Sequence, residues 1–199
     1  MTDDLSTTPS RIYLIRHATP DWSRKDIPYN LPPGPPLIEQ GEMEAVQLGG
    51  FIKQARLSKL YYSPLERAKR TAEIIAGLAN IPTEEAAEIA EMRPSENDQE
   101  YLVNMLPLWN RAIKESRQGN PIGLVTHGGP IRIMLEALGL TTGLIEAYNE
   151  RFDGHNPLPP AGVWMAEKCA GETRWNLELV FVPMPVCVPS PDPDLPESG

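Results

Sequence analysis

The chain has 199 residues, of which 41% are hydrophobic and 23% charged, with 22 prolines and a formal net charge of -9. That length suits one domain with a full core, and the acidic balance argues against a broad nucleic-acid footprint. Cys169 and Cys187 are too few and too far apart for a disulfide framework, no apolar run has membrane-spanning length, and the polar start does not read as a signal peptide, so a cytoplasmic setting is expected.

Residues 1–10 read as a flexible leader. Arg11–Arg16 is mostly apolar and reads as a central strand of a parallel sheet. Five of the nine residues from Pro28 to Pro36 are proline, so the stretch from Pro20 to Pro36 is not regular helix. It reads as a long ordered loop over the mouth of the sheet, with a plain linker as the alternative. Glu39–Ala55 is a helix with Leu48, Phe51, Ile52 and Ala55 on one side. Gly49 and Gly50 weaken it by roughly 1 kcal/mol each.

Lys59–Tyr62 resembles a short strand, and the next helix carries its own start signals. Ser63 is placed to cap it, Pro64 suits its first position, and Glu66 completes a capping box. Leu65, Ala68, Ala72, Ile75 and Ala79 recur at helical spacing and define its buried stripe. A short strand is expected at Ala86–Ile89. Glu96–Arg117 has helical periodicity, which Pro107 must kink or divide. Pro121–Thr126 is a second strong strand, and Pro130 opens a helix that Gly139 stops. Gly162–Lys168 and Arg174–Val182 read as a hairpin across Cys169–Glu172. Residues 183–199 hold six prolines and no basic residue, and read as a disordered tail or, alternatively, a proline-recognition ligand. Strands alternating with helices imply an α/β layer fold, mostly parallel, with an antiparallel pair at its edge.

Three strand exits carry the chemistry. Arg16-His17 ends the first strand, Ser63 follows another, and His127-Gly128-Gly129 ends a third. Ligands of open α/β sheets collect at the carboxyl ends of strands, so these residues converge on one face. A phosphoryl group needs a nucleophile opposite the leaving oxygen and cations around its other oxygens. A neutral imidazole can be that nucleophile. His17 is assigned the role because Arg16 lies beside it. Arg67 and Arg70 lie three apart on a helix and can share a face, and guanidinium forks match phosphate geometry. His127 is read as a donor to the transferred group, with glycines that let the backbone approach closely. The leaving alcohol needs a proton, for which residue chemistry alone leaves Glu88 and Glu91 equally placed. His155 sits in a segment that reads first as a turn.

Arg16-His17-Ala18-Thr19, the run Ser63-Pro64-Leu65-Glu66-Arg67-Ala68-Lys69-Arg70-Thr71, and Thr126-His127-Gly128-Gly129 resemble the signatures of the histidine phosphatase superfamily, in its phosphoglycerate mutase-like branch. Pro36-Leu37-Ile38-Glu39-Gln40-Gly41 resembles the family stretch before its first long helix. The resemblance covers about residues 11–182 and implies a catalytic domain folded as a three-layer α/β/α sandwich. It implies that His17 is phosphorylated, that Arg16, Arg67 and His127 form the phosphate pocket, and that Glu91 is the proton donor. It implies neither a metal nor a diffusible cofactor. Where the family often has Gly-x-Trp-Glu-Gly, this chain has Arg93-Pro94-Ser95-Glu96-Asn97. Where an asparagine commonly follows the first histidine stands Ser23, with Asn30 as a possible substitute.

The expected activity is hydrolysis of a phosphomonoester, either a small phosphometabolite or a phosphorylated side chain. The family's mutases are longer, which favours net hydrolysis over mutase-type transfer in this compact chain. A non-catalytic scaffold with the same fold is a further alternative, and so is a mononuclear metal enzyme using His17, His127 and Glu91. A homodimer is admitted; neither nucleic acid nor membrane is an expected partner.

Overall fold

The computed structural model describes residues 8–117 and 119–185. The leader expected over 1–10 and the tail expected over 183–199 thus fall largely outside the described residues. Of their described parts, Ser10 opens the first strand. Met184 pairs with Gln47, its N–H donating to Oε1 at 2.9 Å and its carbonyl accepting from Nε2 at 3.2 Å.

The elements run β1 (Ser10–Arg16), α1 (Glu39–Ala55), β2 (Lys59–Tyr62), α2 (Glu66–Ala79), β3 (Thr83–Glu85), a 3-10 turn (Ala87–Ile89), α3 (Asp98–Ser116), β4 (Ile122–Thr126), α4 (Gly128–Ala137), α5 (Thr142–Arg151), β5 (Val163–Lys168) and β6 (Asn176–Phe181). The strands form one sheet in the order β3-β2-β4-β1-β5-β6. The first four are mutually parallel, and β5 and β6 add an antiparallel edge.

Successive strand residues face opposite sides, and in the central strands both sides are apolar. Ile12, Leu14, Tyr61, Leu124 and Trp164 meet α3, α4 and α5 through Tyr101, Met105, Trp109, Ile131, Met134 and Ile145. Tyr13, Ile15, Leu60, Val125 and Val163 meet α1 and α2 through Ala45, Leu48, Ile52, Ala68, Ala72 and Ile75. The result is a three-layer α/β/α sandwich. Gly49 has a packing reason in α1: a Cβ there would lie 2.6 Å from Leu78 Cδ1 on α2.

Two local expectations are corrected, a third is narrowed, and one helix was not foreseen. The strand expected at Ala86–Ile89 lies at Thr83–Glu85, and the expected residues form the 3-10 turn instead. Of the two outcomes expected at Pro107, a kink or a division, division does not occur, since α3 runs through it. The proline lies on the solvent side, and Val103, whose carbonyl loses its amide partner there, is 54% exposed, so water can replace the missing donor. That helix starts at a capping box of Asn97 and Glu100, whose spacing was readable in the sequence. Ser63 and Glu66 do not box α2, which begins at Glu66 after Leu65. The first amide of α2, that of Glu66, instead donates to the loop carbonyl of Pro33 at 2.7 Å. Helix α5 was not anticipated; it buries Ile145 and offers little apolar periodicity.

The loop between β1 and α1 is fixed at its base. Buried Glu44 accepts from the Thr19 N–H at 2.9 Å and from its hydroxyl at 2.7 Å. Gly41 permits this approach, since a Cβ there would lie 2.1 Å from the Thr19 carbonyl oxygen. Gly41→Ala is therefore expected to destabilise the protein by about 1–3 kcal/mol. Gly50→Ala meets nothing within 4 Å and should gain roughly 0.5–1 kcal/mol from helix propensity. Urea denaturation midpoints of the two variants, moving in opposite directions, check both statements.

Candidate active site

Strands β2, β4 and β1 are neighbours and parallel, so their carboxyl ends open on the same edge of the sheet. Backbone bonds continue past the strands and fix the residues that follow. The His17 N–H donates to the Thr126 carbonyl at 2.9 Å, and the Ser63 N–H to that of Val125 at 3.0 Å. Ala18 N–H donates to Thr71 Oγ1 on α2 at 3.1 Å. His17 and His127 are thereby brought side by side, with ring centroids 5.1 Å apart.

His17 is buried, and its two ring nitrogens have different partners. Nδ1 lies 2.8 Å from the carbonyl oxygen of Ala18. A carbonyl only accepts, so Nδ1 carries the proton and Nε2 of the neutral ring keeps its lone pair. Arg67 agrees with this tautomer, since its Nε–H donates to His17 Nε2 at 3.1 Å. Burial, with the nearby charges of Arg67 and Arg16, holds the His17 pKa well below its ordinary value of 6.5. The ring is a neutral base at physiological pH.

Arg67 projects from the first turn of α2 with 0% of its side chain exposed. Its Nη1 donates to the Tyr29 carbonyl at 2.8 Å, and its Cζ lies 4.0 Å from the centroid of the Tyr29 ring. Gly34, at φ +69°, comes close enough that a Cβ would sit 2.9 Å from Nη1. The proline-rich loop expected over the mouth of the sheet is thus in contact with the site.

Arg16, at the end of β1, is 5% exposed. Its Nη1 donates to Asp153 Oδ2 and to the Leu158 carbonyl, each at 2.8 Å. Burial would raise the Asp153 carboxyl, but hydrogen bonds from Arg16, the Asn156 amide and the His155 N–H hold it at about 2. Among the described residues, Nε of Arg16 is buried without a hydrogen-bond partner. Gly128 admits this 153–158 segment, because a Cβ there would lie 1.7 Å from Asn156 Oδ1.

His127 caps the start of α4 and is fully buried. Its Nε2 lies 2.7 Å from Ser63 Oγ, while the Leu65 N–H donates to the same oxygen at 3.4 Å. If the Ser63 hydroxyl donates to Nε2, the imidazole proton resides on Nδ1. That Nδ1 is the second buried nitrogen of the site without a hydrogen-bond partner among the described residues. Glu91 faces it, with Oε2 3.5 Å from His127 Nδ1 and 3.5 Å from Arg67 Nη2. Thr126 Oγ1 donates to the Ile89 carbonyl at 2.7 Å, and the Tyr101 hydroxyl to that of Ala90 at 3.0 Å, which fixes the backbone leading to Glu91. Burial raises the Glu91 carboxyl above its ordinary value, against Arg67, the Met92 N–H and Arg16.

The structure therefore gathers Arg16, His17, Arg67, Glu91 and His127. Other sequence candidates lie apart or have other partners. Arg70 is 42% exposed and pairs with Glu42 at 2.8 Å and Glu73 at 3.8 Å. Ser23 is exposed, with its hydroxyl and amide on Asp21. Asn30 donates from Nδ2 to the Met92 carbonyl at 3.1 Å, tying the loop to the segment that follows Glu91. Of the two glutamates, Glu91 joins the cluster, whereas Glu88 lies in the 3-10 turn and makes no ion pair with it among the described contacts. Tyr29 and Asp153 were missed; each works through distant chain, and neither carries a local motif. Among the described residues, no group of three or more His, Cys, Asp and Glu gathers to hold a metal. The His17 lone pair that a metal would require faces an Arg67 N–H instead.

The sequence and the fold were compared with known proteins. The family model of the histidine phosphatase superfamily (branch 1) matches residues 12–101. An uncharacterized phosphatase, PhoE, of Bacillus subtilis (strain 168) is 33% identical over 87 residues, 40% of this chain and 41% of that protein. A probable phosphoglycerate mutase, GpmB, of Salmonella choleraesuis (strain SC-B67) is 35% identical over 66 residues, 33% of this chain and 30% of that protein. The match thus spans less than half the length of either relative. The structure of a mycobacterial glucosyl-3-phosphoglycerate phosphatase superposes with TM-score 0.70 at 17% identity, covering 88% of this chain and all (100%) of that one. At that identity the likeness speaks to the fold alone, over a larger share of the chain than the sequence matches reach. No helix among the described residues is long and apolar enough to cross a membrane. The match to the histidine phosphatase superfamily (branch 1) covers Arg16, His17 and Arg67, and the fold sets His127, which lies outside the matched residues, beside them.

Proposed function

We propose that the protein hydrolyses phosphomonoesters through a phosphohistidine on His17. The observation that carries this reading is the buried, neutral Nε2 of His17 among two guanidinium groups, beside two buried nitrogens, Arg16 Nε and His127 Nδ1, that await an acceptor. A phosphoryl group supplies oxygens that would satisfy all of them.

In the first step Nε2 attacks phosphorus and the ester P–O bond breaks. Protonated Glu91 gives its proton to the departing alcohol oxygen. Arg67 keeps its Nε proton and redirects that hydrogen bond from the imidazole to a phosphoryl oxygen, while Arg16 and His127 hold the others. The imidazolium formed keeps its Nδ1–H on the Ala18 carbonyl, which stabilises the positive charge. In the second step the Glu91 carboxylate takes a proton from water, the water oxygen attacks phosphorus, and the P–N bond breaks. Inorganic phosphate leaves, with His17 neutral and Glu91 protonated again.

The substrate proposed is a small phosphometabolite or a phosphorylated side chain, consistent with the generic phosphate chemistry of the family. All the groups invoked belong to one chain, so a homodimer is not needed for the chemistry. Sparse cysteines support a cytoplasmic setting.

His17→Ala should lower phosphatase turnover by on the order of 10³-fold or more while the protein stays folded. Acid quench of the wild type during turnover of ³²P-labelled ester should leave label on His17; label on another side chain would reject the nucleophile. In kcat/KM, which reports the phosphorylation step and not the later hydrolysis, Glu91→Gln should cost about 10²–10⁴-fold with alkyl phosphates and much less with p-nitrophenyl phosphate, whose leaving group needs no proton. A uniform loss in kcat/KM across leaving groups would reject the acid assignment.

The pH profile of kcat/KM has two limbs of predictable sign. Activity falls with decreasing pH as His17 takes a proton at Nε2, at a pH below 6.5 because its pKa is depressed. It falls with increasing pH as Glu91 loses its proton, at a pH above the ordinary glutamate value of 4.5 because burial raises it. The second limb should vanish in Glu91→Gln, after correction for ionisation of the ester.

A further inference from the structure

Arg67 presents an unusual difficulty. It is a fully buried cation whose Nε must face His17, yet its long side chain has many rotamers and its nearest carboxylate, Glu91, is 3.5 Å away. Something other than a close ion pair must hold the guanidinium plane. The residue in position to do so is Tyr29, with its carbonyl on Nη1 at 2.8 Å and its ring centroid 4.0 Å from Cζ.

Tyr29 is itself held on both flanks. Asn30 bonds to the Met92 carbonyl at 3.1 Å, and the Pro33 carbonyl accepts the Glu66 N–H at 2.7 Å, just before Arg67 in α2. Gly34 brings the loop backbone so close to Nη1 that a Cβ there would lie 2.9 Å from it. The ring and two backbone segments therefore form a clamp on the guanidinium that leaves Nε facing His17 and Nη2 facing Glu91.

We propose that Tyr29 is a positioning residue, whose aromatic face orients Arg67 so that its N–H groups meet the phosphoryl oxygens. This rests on the phosphohistidine reading and assigns the proline-rich loop a place in it. A guanidinium over an aromatic face gains both cation–π attraction and flat stacking, whereas an aliphatic side chain offers packing alone. The backbone acceptor survives any substitution at this position, so side-chain changes isolate the ring.

The test is a double-mutant cycle on hydrolysis of p-nitrophenyl phosphate, with orthovanadate affinity measured by calorimetry. Tyr29→Phe should stay within about twofold of the wild type, since the face remains. Tyr29→Leu and Tyr29→Ala should each lose about tenfold in kcat/KM and in orthovanadate affinity. In an Arg67→Ala background, Tyr29→Leu should cost less than about twofold, because the group it orients is gone. A folding defect would persist in that background, so the cycle separates positioning from stability. Equal behaviour of the Phe and Leu variants, or an undiminished Leu effect without Arg67, would overturn the clamp. Wild-type turnover retained in Arg67→Ala would instead overturn the phosphatase reading on which the clamp rests.

Discussion

A proton fixed on Nδ1 of His17 by the Ala18 carbonyl is the constraint on which the rest of the site depends. It leaves Nε2 as the one ring nitrogen with a lone pair, and it points that lone pair at Arg67. The tautomer is set by the backbone and not by a titratable partner, so no change in the ionisation of a neighbour reverses it. The same carbonyl also suits the charged ring, since Nδ1–H remains a donor before and after Nε2 acquires a substituent. Strand pairing keeps this arrangement in place through the amide of His17 on Thr126.

Two buried guanidinium groups would be costly without partners. The structure offsets that cost by different means at each one. Arg16 has a carboxylate, Asp153, whose own ionisation is secured by backbone and amide donors. Arg67 has a carbonyl, an aromatic face and a more distant glutamate. The contrast has a chemical consequence. A carboxylate in close contact with Arg67 would compete with a phosphate and would draw Glu91 into a permanent ion pair. At 3.5 Å, Glu91 is near enough to reach the site, and burial can still favour its protonated form. Arg16 Nε and His127 Nδ1 lie buried beside these groups without hydrogen-bond partners among the described residues.

Helix termini serve the same end here with little conventional capping. The start of α2 takes a carbonyl from the loop, and His127 occupies the cap position of α4 while its ring bonds Ser63. Residues whose sequence context reads as a local cap are diverted to contacts between distant segments. Ser63 is the clearest instance: its hydroxyl was expected to close a turn, and it orients a histidine from another strand.

The sequence by itself determined the elements whose signals are local and repeated. The apolar runs of β1 and β4, the stripe of α2 and the glycine stop after α4 all come from side-chain periodicity or backbone stereochemistry within a few residues. Arg16, His17, Arg67 and His127 were found the same way, since each adjoins a strand exit or helix start, and the family resemblance chose Glu91 over Glu88. Tertiary structure alone decided what those local signals could not encode. It set the strand order that makes β2, β4 and β1 neighbours, and it moved the short β3 upstream. It let α3 pass through Pro107, which lies with Val103 on the exposed face of the helix. It also brought Tyr29 and Asp153 to the arginines, since a contact between segments far apart in the chain depends on the path of the whole sheet and leaves no periodic mark at either residue.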